Sequence, residues 1–262
     1  MITSHSNPKI KQIVQWQARA KERREAGIFL AEGFKMFEEA PAEWIREVYV
    51  SEEIREKAAF SPEISEKLDR TGWEAVSPDV FRKISDTQTP QGILCVLERP
   101  GYSLEELLQA GNPLFLLVEN LQDPGNLGTI VRTGEGAGVT GIILGEGTVD
   151  IFNSKVIRAT MGSVFRVPFV CGEDLCAVVE RLRENGIRTY AAHLAGENYY
   201  DSFSFREGTA FLVGNEGSGL TRALAEKADN YLKIPMEGHV ESLNAAVTAS
   251  ILLYEAYRQR RL

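Results

Sequence analysis

Residues Leu114–Val139 read LFLLVENLQDPGNLGTIVRTGEGAGV. The stretch opens with an apolar run of strand length, Leu114 to Val118, and breaks at a turn cluster, Asp123-Pro124-Gly125-Asn126. It resumes with apolar residues at helical spacing: Leu127, Ile130, Val131 and Ala137. That is a strand, a tight loop and a helix. In an open α/β sheet, ligands bind beyond the carboxyl ends of the strands, where backbone N–H groups and side chains converge. Asn126 and Arg132 sit at that place. Their spacing sets Asn126 at the helix start and Arg132 nearly two turns in, so that an arginine side chain could reach back toward the loop. The competing reading makes Asn126 an N-cap and Arg132 a solvated helix residue.

Two later stretches repeat the pattern. Thr209–Leu220, TAFLVGNEGSGL, is an apolar strand running into a glycine-rich loop, and Ile234–Val247, IPMEGHVESLNAAV, is a strand end, a loop and a helix. Together the three segments carry Asn126, Arg132, Glu216, Ser242 and Asn244. In residues, order and spacing they resemble the three motifs of the SpoU (TrmH-like) ribose methyltransferases of the SPOUT class, which move a methyl group from S-adenosylmethionine to a 2′-hydroxyl of RNA. The resemblance covers most of Leu114 to Leu262.

Composition bounds the alternatives. The chain has 262 residues, 44% hydrophobic and 25% charged, which suits a soluble globular protein of one or two domains. Its apolar runs are of strand length, and MITSHSNPKIKQ has no apolar signal core, so a cytoplasmic protein is expected. Cys95, Cys171 and Cys176 lack CxxC spacing and read as reduced, mostly buried thiols. His5, His193 and His239 are scattered, and no metal is expected. A net charge of −8 argues against a protein that coats nucleic acid indiscriminately. The charge is uneven, however. Lys9, Lys11, Arg19, Lys21, Arg23, Arg24 and Lys35 outnumber Glu22, Glu25 and Glu32 in the first 35 residues. That gives either a local basic face for one RNA site or a solvated amphipathic helix.

The first third alternates short helices and strands: a capped helix from Ser6-Asn7-Pro8 that should stop at Gly27, a strand at Ile28–Ala31, a helix at Phe34–Glu39 and a strand at Ile45–Val50. Helices at Glu52–Ala59 and Pro62–Arg70, a strand at Trp73–Val76, a helix at Pro78–Ile84 and a strand at Ile93–Leu97 complete a small α/β sandwich. It resembles the substrate-binding domain that many SpoU enzymes carry, through NPKIKQ, GIFLAEG and TPQGILCV. Residues 1–98 are therefore read as an RNA substrate-binding domain and 99–112 as a linker with a short helix near Leu104–Ala110. Residues 113–262 are read as the methyltransferase domain. There, strands at Gly141–Leu144, Val164–Val170 and Arg188–His193 alternate with helices near Ser154–Met161 and Leu175–Asn185, which predicts a mostly parallel sheet covered on both faces. The resemblance adds a C-terminal trefoil knot that forms the cofactor pocket.

Gly136-x-Gly138-x-x-Gly141 satisfies the dinucleotide fingerprint literally, but it follows a helix and leads into a strand, the reverse of the required context. A helix stop and turn is the better reading, and no P-loop sequence occurs. The loop Gly214–Gly219 is better placed, directly after a strand, and is either a ligand cradle or a tight turn.

By resemblance, Arg132 is the catalytic arginine with Asn126 as its motif partner. Glu216, Ser242 and Asn244 orient Arg132, the ribose and the methionine end of the cofactor; taken alone they read as a solvated carboxylate and two helix caps. Cofactor contacts fall on Gly214, Ile234 and Leu243, mostly through the backbone. Lys9, Lys11, Arg19, Arg23 and Arg24 are the expected RNA-binding residues. A homodimer is implied, packed through the helix Ala245–Tyr257, whose early alanines permit close approach. The substrate expected is 23S-type ribosomal RNA, with transfer RNA or a catalytically silent RNA-binding module as the alternatives.

Overall fold

The computed structural model describes residues 1–57, 61–238 and 242–261. It divides into two compact units, Met1–Gly101 with Asp150–Phe165, and Tyr102–Val149 with Arg166–Leu262. The end of the helix expected at Glu52–Ala59, and His239, Val240 and Glu241 of the third motif, lie outside the described residues.

In the first unit, Asn7 caps a helix α1, Pro8–Ala18, by accepting from the Lys9 amide, with proline in the first turn. The expected single helix is broken: Arg19 takes an extended backbone, and α2, Ala20–Ala26, restarts behind it. The stop at Gly27 is where the sequence puts it, with glycine in the left-handed region at φ 64°. There follow β1 (Ile28–Glu32), α3 (Phe34–Glu39), β2 (Ile45–Ser51), α4 (Glu52–Lys57), α5 (Pro62–Thr71), β3 (Glu74–Val76), α6 (Pro78–Ile84) and β4 (Ile93–Glu98). The four strands form one sheet in the order β1-β4-β2-β3, antiparallel except for β2 beside β3.

In the second unit, α7 (Leu104–Leu108) leads to β5 (Leu114–Val118), α8 (Pro124–Ala137) and β6 (Gly141–Gly145). The chain then leaves for the first unit, where α9 (Ser154–Thr160) lies against β1 and Phe29 packs on Phe152 and Phe165 at ring-centroid distances of 4.7 and 6.2 Å. It returns as β7 (Phe169–Glu173), α10 (Leu175–Glu184), β8 (Arg188–Ala192), β9 (Asn198–Tyr199), β10 (Thr209–Val213), α11 (Arg222–Ala225), β11 (Asn230–Lys233) and α12 (Ala245–Arg261). The strand expected at Val164–Val170 begins only at Phe169, after a turn of 3-10 helix at Ser163–Phe165. Pro168, without an amide hydrogen, suits the position before the strand.

Seven strands form a sheet in the order β7-β6-β5-β10-β8-β11-β9, and every pairing is parallel. The central strands are buried along their whole length, as parallel strands sandwiched between helices must be. Phe115, Leu117, Ala210 and Leu212 pack with α7, α10 and α11, so the alternating Leu116 and Phe211 face the opposite side, where α8 and α12 pack together and α12 meets β10. Gly138 ends α8 at φ 72°, the helix stop read from the misplaced fingerprint. Of the thiols only Cys95 is buried; Cys176 is intermediate and Cys171 exposed, which corrects the expectation of mostly buried cysteines. Burial pushes the Cys95 thiol up to about 12, with Lys67 pulling the other way.

Candidate active site

The helix α8 begins at Asp123, not at Asn126. The Asp123 carboxylate accepts from the Asn126 amide at 2.8 Å, and Pro124 fills the first turn. Asn126 is therefore the third helical residue, and its side chain is spent elsewhere. Its Nδ2 donates to Glu216 Oε1 at 3.0 Å, and its Oδ1 accepts from Asn244 Nδ2 at 2.9 Å. The Asn244 Oδ1 in turn accepts from the Ala246 and Val247 amides at 2.9 and 3.3 Å, capping α12. Three residues far apart in sequence thus form one directed chain.

Its polarity follows from donor and acceptor arithmetic. An ionised carboxylate only accepts, so Asn126 must turn its amide nitrogen to Glu216 and its oxygen to Asn244; Asn244 must then donate, leaving its own oxygen for the helix end. Burial would raise the Glu216 carboxyl, but the Asn126 amide together with the backbone N–H groups of Asp123, Glu216 and Gln122 outweighs it and holds the group below the usual carboxylate range. Glu216 is ionised at neutral pH. The cap and chain roles of Asn244, alternatives in the sequence, coexist.

The loop bearing Glu216 is fixed by its neighbours. A Cβ on Gly214 would lie 2.2 Å from the Gly219 carbonyl carbon, so no side chain is possible there. The Asn215 and Gly219 backbones exchange two hydrogen bonds of 3.0 Å, and Asn215 Oδ1 gathers the Gly217 and Ser218 amides. Its Nδ2 donates to the Asn120 carbonyl at 2.8 Å, while Glu119 accepts from the Thr221 amide and hydroxyl, both at 2.7 Å. The loops after β5 and β10 are stitched into one piece.

Beside this piece lies a cavity of about 270 Å³, walled by the loops at the carboxyl ends of β8, β10 and β11 and by the start of α12. Gly214, Ile234 and Leu243 all line it, and so do Glu216 and Ser242. Asn126 and Asn244 adjoin it through Glu216. Arg132 does not join them: it is exposed on α8, outside the cavity lining, and among the described residues no hydrogen bond or ion pair engages it. Six residues along a helix turn the side chain by about 240°, so Arg132 leaves α8 on another face from Asn126 and does not reach back to the loop of its own chain.

The sequence reading missed His193, Leu194 and Met236, which also line the cavity. The His193 ring packs at a tilt against Tyr231 with centroids 4.9 Å apart, and its Nδ1 accepts from the Ala195 amide at 3.1 Å. The available signal was the strand ending at His193, since its carboxyl end opens on the same edge of the sheet. Among the described residues no group of three His, Cys, Asp or Glu side chains is placed to hold a metal ion. Among them, too, no helix is long and apolar enough to cross a membrane.

Of the basic residues in the first unit, Lys9, Lys11, Arg19 and Arg24 are exposed, with Lys9 near Glu74 at 3.2 Å and Arg19 near Glu22 at 3.5 Å. Arg23 departs from the expected RNA-facing set. Its side chain is only 9% exposed and its guanidinium is committed to Asp150 at 2.6 Å and to the Trp16 carbonyl at 2.6 Å. A cation so occupied has no fork left for a phosphate.

Comparison with known proteins follows the same lines. Residues 113–254 match the model of the SpoU rRNA Methylase family, and residues 7–95 that of the MRM3-like substrate binding domain. The chain is 38% identical to the 23S rRNA (guanosine(2553)-2′-O)-methyltransferase RlmP of Bacillus subtilis, over 97% of each chain. It is 32% identical to an uncharacterized tRNA/rRNA methyltransferase of Synechocystis, over 99% of this chain and 94% of the relative. Among solved structures, the AdoMet-bound rRNA methyltransferase from Sinorhizobium meliloti superposes with a TM-score of 0.83 at 31% identity, covering 98% of this chain and 97% of that one. The SpoU methyltransferase AviRb from Streptomyces viridochromogenes, in complex with AdoMet, gives 0.86 at 29% identity, covering 97% and 98%.

Proposed function

The chain belongs to the SpoU rRNA methylase family, and on that premise we propose that it methylates a ribose 2′-hydroxyl of 23S-type ribosomal RNA. Membership makes it an RNA 2′-O-ribose methyltransferase with S-adenosylmethionine as donor. The ribosomal substrate rests on likeness to the Bacillus subtilis enzyme along nearly the whole of both chains, substrate-binding domain included. It would place the enzyme in the cytoplasm.

The cavity's residues fit the donor. Gly214 supplies backbone with no Cβ, Ile234 and Leu243 supply apolar walls, and Ser242 and Glu216 supply polar groups on one side. S-adenosylmethionine brings a methyl group activated on a sulfonium. The chain's own work is then positioning, because in-line displacement gains most from holding the reactants aligned. Glu216, held ionised, keeps Asn126 and through it Asn244 in one orientation at the cavity rim. Arg132 stays protonated at neutral pH, so we assign it to bidentate binding of the phosphate beside the target ribose and to stabilising the developing alkoxide.

That role needs Arg132 to come from a second copy. The exposed face of α8 that carries it adjoins α12, where Val247, Tyr254 and Tyr257 are 46, 49 and 37% exposed. Such a stripe favours an isologous homodimer in which each active site takes its arginine from the partner. The knot of the class is proposed here too, supported by a strand order that inserts β10 between β5 and β8. Lys9, Lys11, Arg19 and Arg24 form the RNA-facing set of the first unit.

Calorimetric titration with S-adenosylhomocysteine on the wild type and on Leu243→Arg tests the cofactor assignment. Binding that the substitution removes without unfolding, followed by loss of one 2′-O-methyl site in 23S rRNA from a strain lacking the protein, is expected. A folded wild type that binds no S-adenosylhomocysteine, with RNA present or absent, would sink it.

A further inference from the structure

At the far end of α12 from Asn244, the Arg260 guanidinium is surrounded by carbonyls. Its Nε donates to Phe205 O at 2.8 Å, one terminal nitrogen to Asn112 O at 2.9 Å, and the other to Pro113 O at 3.1 Å and Glu207 O at 2.6 Å. These carbonyls belong to the segments that enter β5 and β10, the two strands whose opposite ends carry Asn126 and Glu216. Gln259 adds a second tie, donating to Phe203 O at 3.0 Å and accepting from the Phe205 amide at 2.7 Å. Arg258, by contrast, is exposed and pairs with Glu255 at 2.8 Å. Arg260 has four backbone acceptors and no carboxylate among them.

A cation near a helix end is ordinarily explained by the helix dipole. The dipole would be served by an exposed side chain such as Arg258, and it does not require a fork. Four N–H bonds spread over two strand entries use the planar geometry that only arginine has; lysine offers three donors on a single point. The helix between the two ends is 17 residues, about 25 Å long, and behaves as a rod. At its start, Ala245 and Thr248 line the cavity and Asn244 donates to Asn126. Midway, Ser250 Oγ donates to Thr133 Oγ1 at 3.2 Å.

We propose that Arg260 is a positioning residue for the methyl transfer: by pinning α12 to the entries of β5 and β10 it fixes the axial position of the helix, and so the placement of Leu243 and Asn244 at the cavity. The proposal rests on the methyltransferase reading above. Without Arg260 the Gln259 tie still holds this end to the entry of β10, but the hold on the entry of β5 is lost, and the helix gains freedom to shift along its axis at the Asn244–Asn126 bond.

The test titrates S-adenosylhomocysteine into the wild type, Arg260→Ala, Arg260→Lys and Val179→Ala, the last a core truncation in α10 away from the cavity that lowers the melting temperature without touching α12. Both Arg260 variants should bind at least about tenfold more weakly, equivalent to about 1.4 kcal/mol, Val179→Ala should bind as the wild type, and millimolar methylguanidine should restore affinity to Arg260→Ala. If Arg260→Ala does not fold, Arg260→Lys carries the comparison alone. Wild-type affinity in Arg260→Lys, an equal loss in Val179→Ala, or no rescue of a folded Arg260→Ala would overturn the proposal. Failure of the wild type itself to bind would instead overturn the methyltransferase reading, and this one with it.

Discussion

Asn244→Asp separates two jobs that one side chain performs. Aspartate keeps the oxygen that caps α12 and is as good an N-cap as asparagine, so the helix should lose no more than a few tenths of a kcal/mol. It removes the Nδ2 donor to Asn126. The amide of Asn126 then lies between two carboxylates that only accept, and no flip satisfies both, because its single NH₂ face can serve one of them at a time. The bond lost joins two neutral amides and costs about 1 kcal/mol, which corresponds to about a fivefold fall in rate. Asn244→Ala loses the same donor and also the cap, a further ~1 kcal/mol of stability. Methyl transfer from labelled S-adenosylmethionine to 23S rRNA should therefore fall alike in both variants. Calorimetry should show both variants melting below the wild type, with Asn244→Ala a further ~2–4 °C below Asn244→Asp because it alone loses the cap. Full activity in Asn244→Asp would refute the directed chain, and equal destabilisation of the two would refute the cap.

If each site draws Arg132 from the partner, inactive Arg132→Ala and inactive Glu216→Ala chains should complement when mixed: random pairing makes half the dimers mixed, each with one intact site, giving about a quarter of wild-type activity. No recovery after subunit exchange would argue for a site within one chain. The Glu216 carboxyl is held below its ordinary range in the fold, so its contribution to stability is complete above that range and is lost as pH falls through the folded value. Acid titration of stability should accordingly be shallower in Glu216→Gln than in the wild type, and identical profiles would contradict the assignment. Arg23→Ala strands Asp150 half-buried and should cost about 2 kcal/mol, discounted from a fully buried pair because Asp150 keeps 23% of its side chain in water. Its effect on RNA affinity should be small, whereas Lys11→Ala should weaken binding and flatten its salt dependence.

The alternation of strand and helix was legible because buried parallel strands are continuous apolar runs, as at Leu114–Val118 and Thr209–Val213. Gly27 and Gly138 marked their helix ends for a simple reason, the left-handed turn each one makes. The break at Arg19 was not legible, since nothing in the side chains around it forbids helix. Of the site, Gly214, Ile234 and Leu243 were named by resemblance; their own character is that of core residues. What the sequence hid was direction. Spacing along α8 suggested that Arg132 could turn back to the loop, while helical rotation carries it to a different face. It hid occupation as well: Arg23 reads as one basic residue among several until Asp150, far along the chain, takes its guanidinium.

The sixteenth decade of the sequence, packed against β1, sets a timetable. Phe29 is fully buried, yet Phe152 and Phe165, which cover it, are made only after β4, β5 and β6 have been translated. A chain growing at roughly 5–20 residues per second leaves that aromatic face uncovered for many seconds. The first unit is the first to be synthesised, but it cannot be the first to finish: its core closes only once the ribosome has already delivered β5 and β6, two of the seven strands of the sheet that holds the active site.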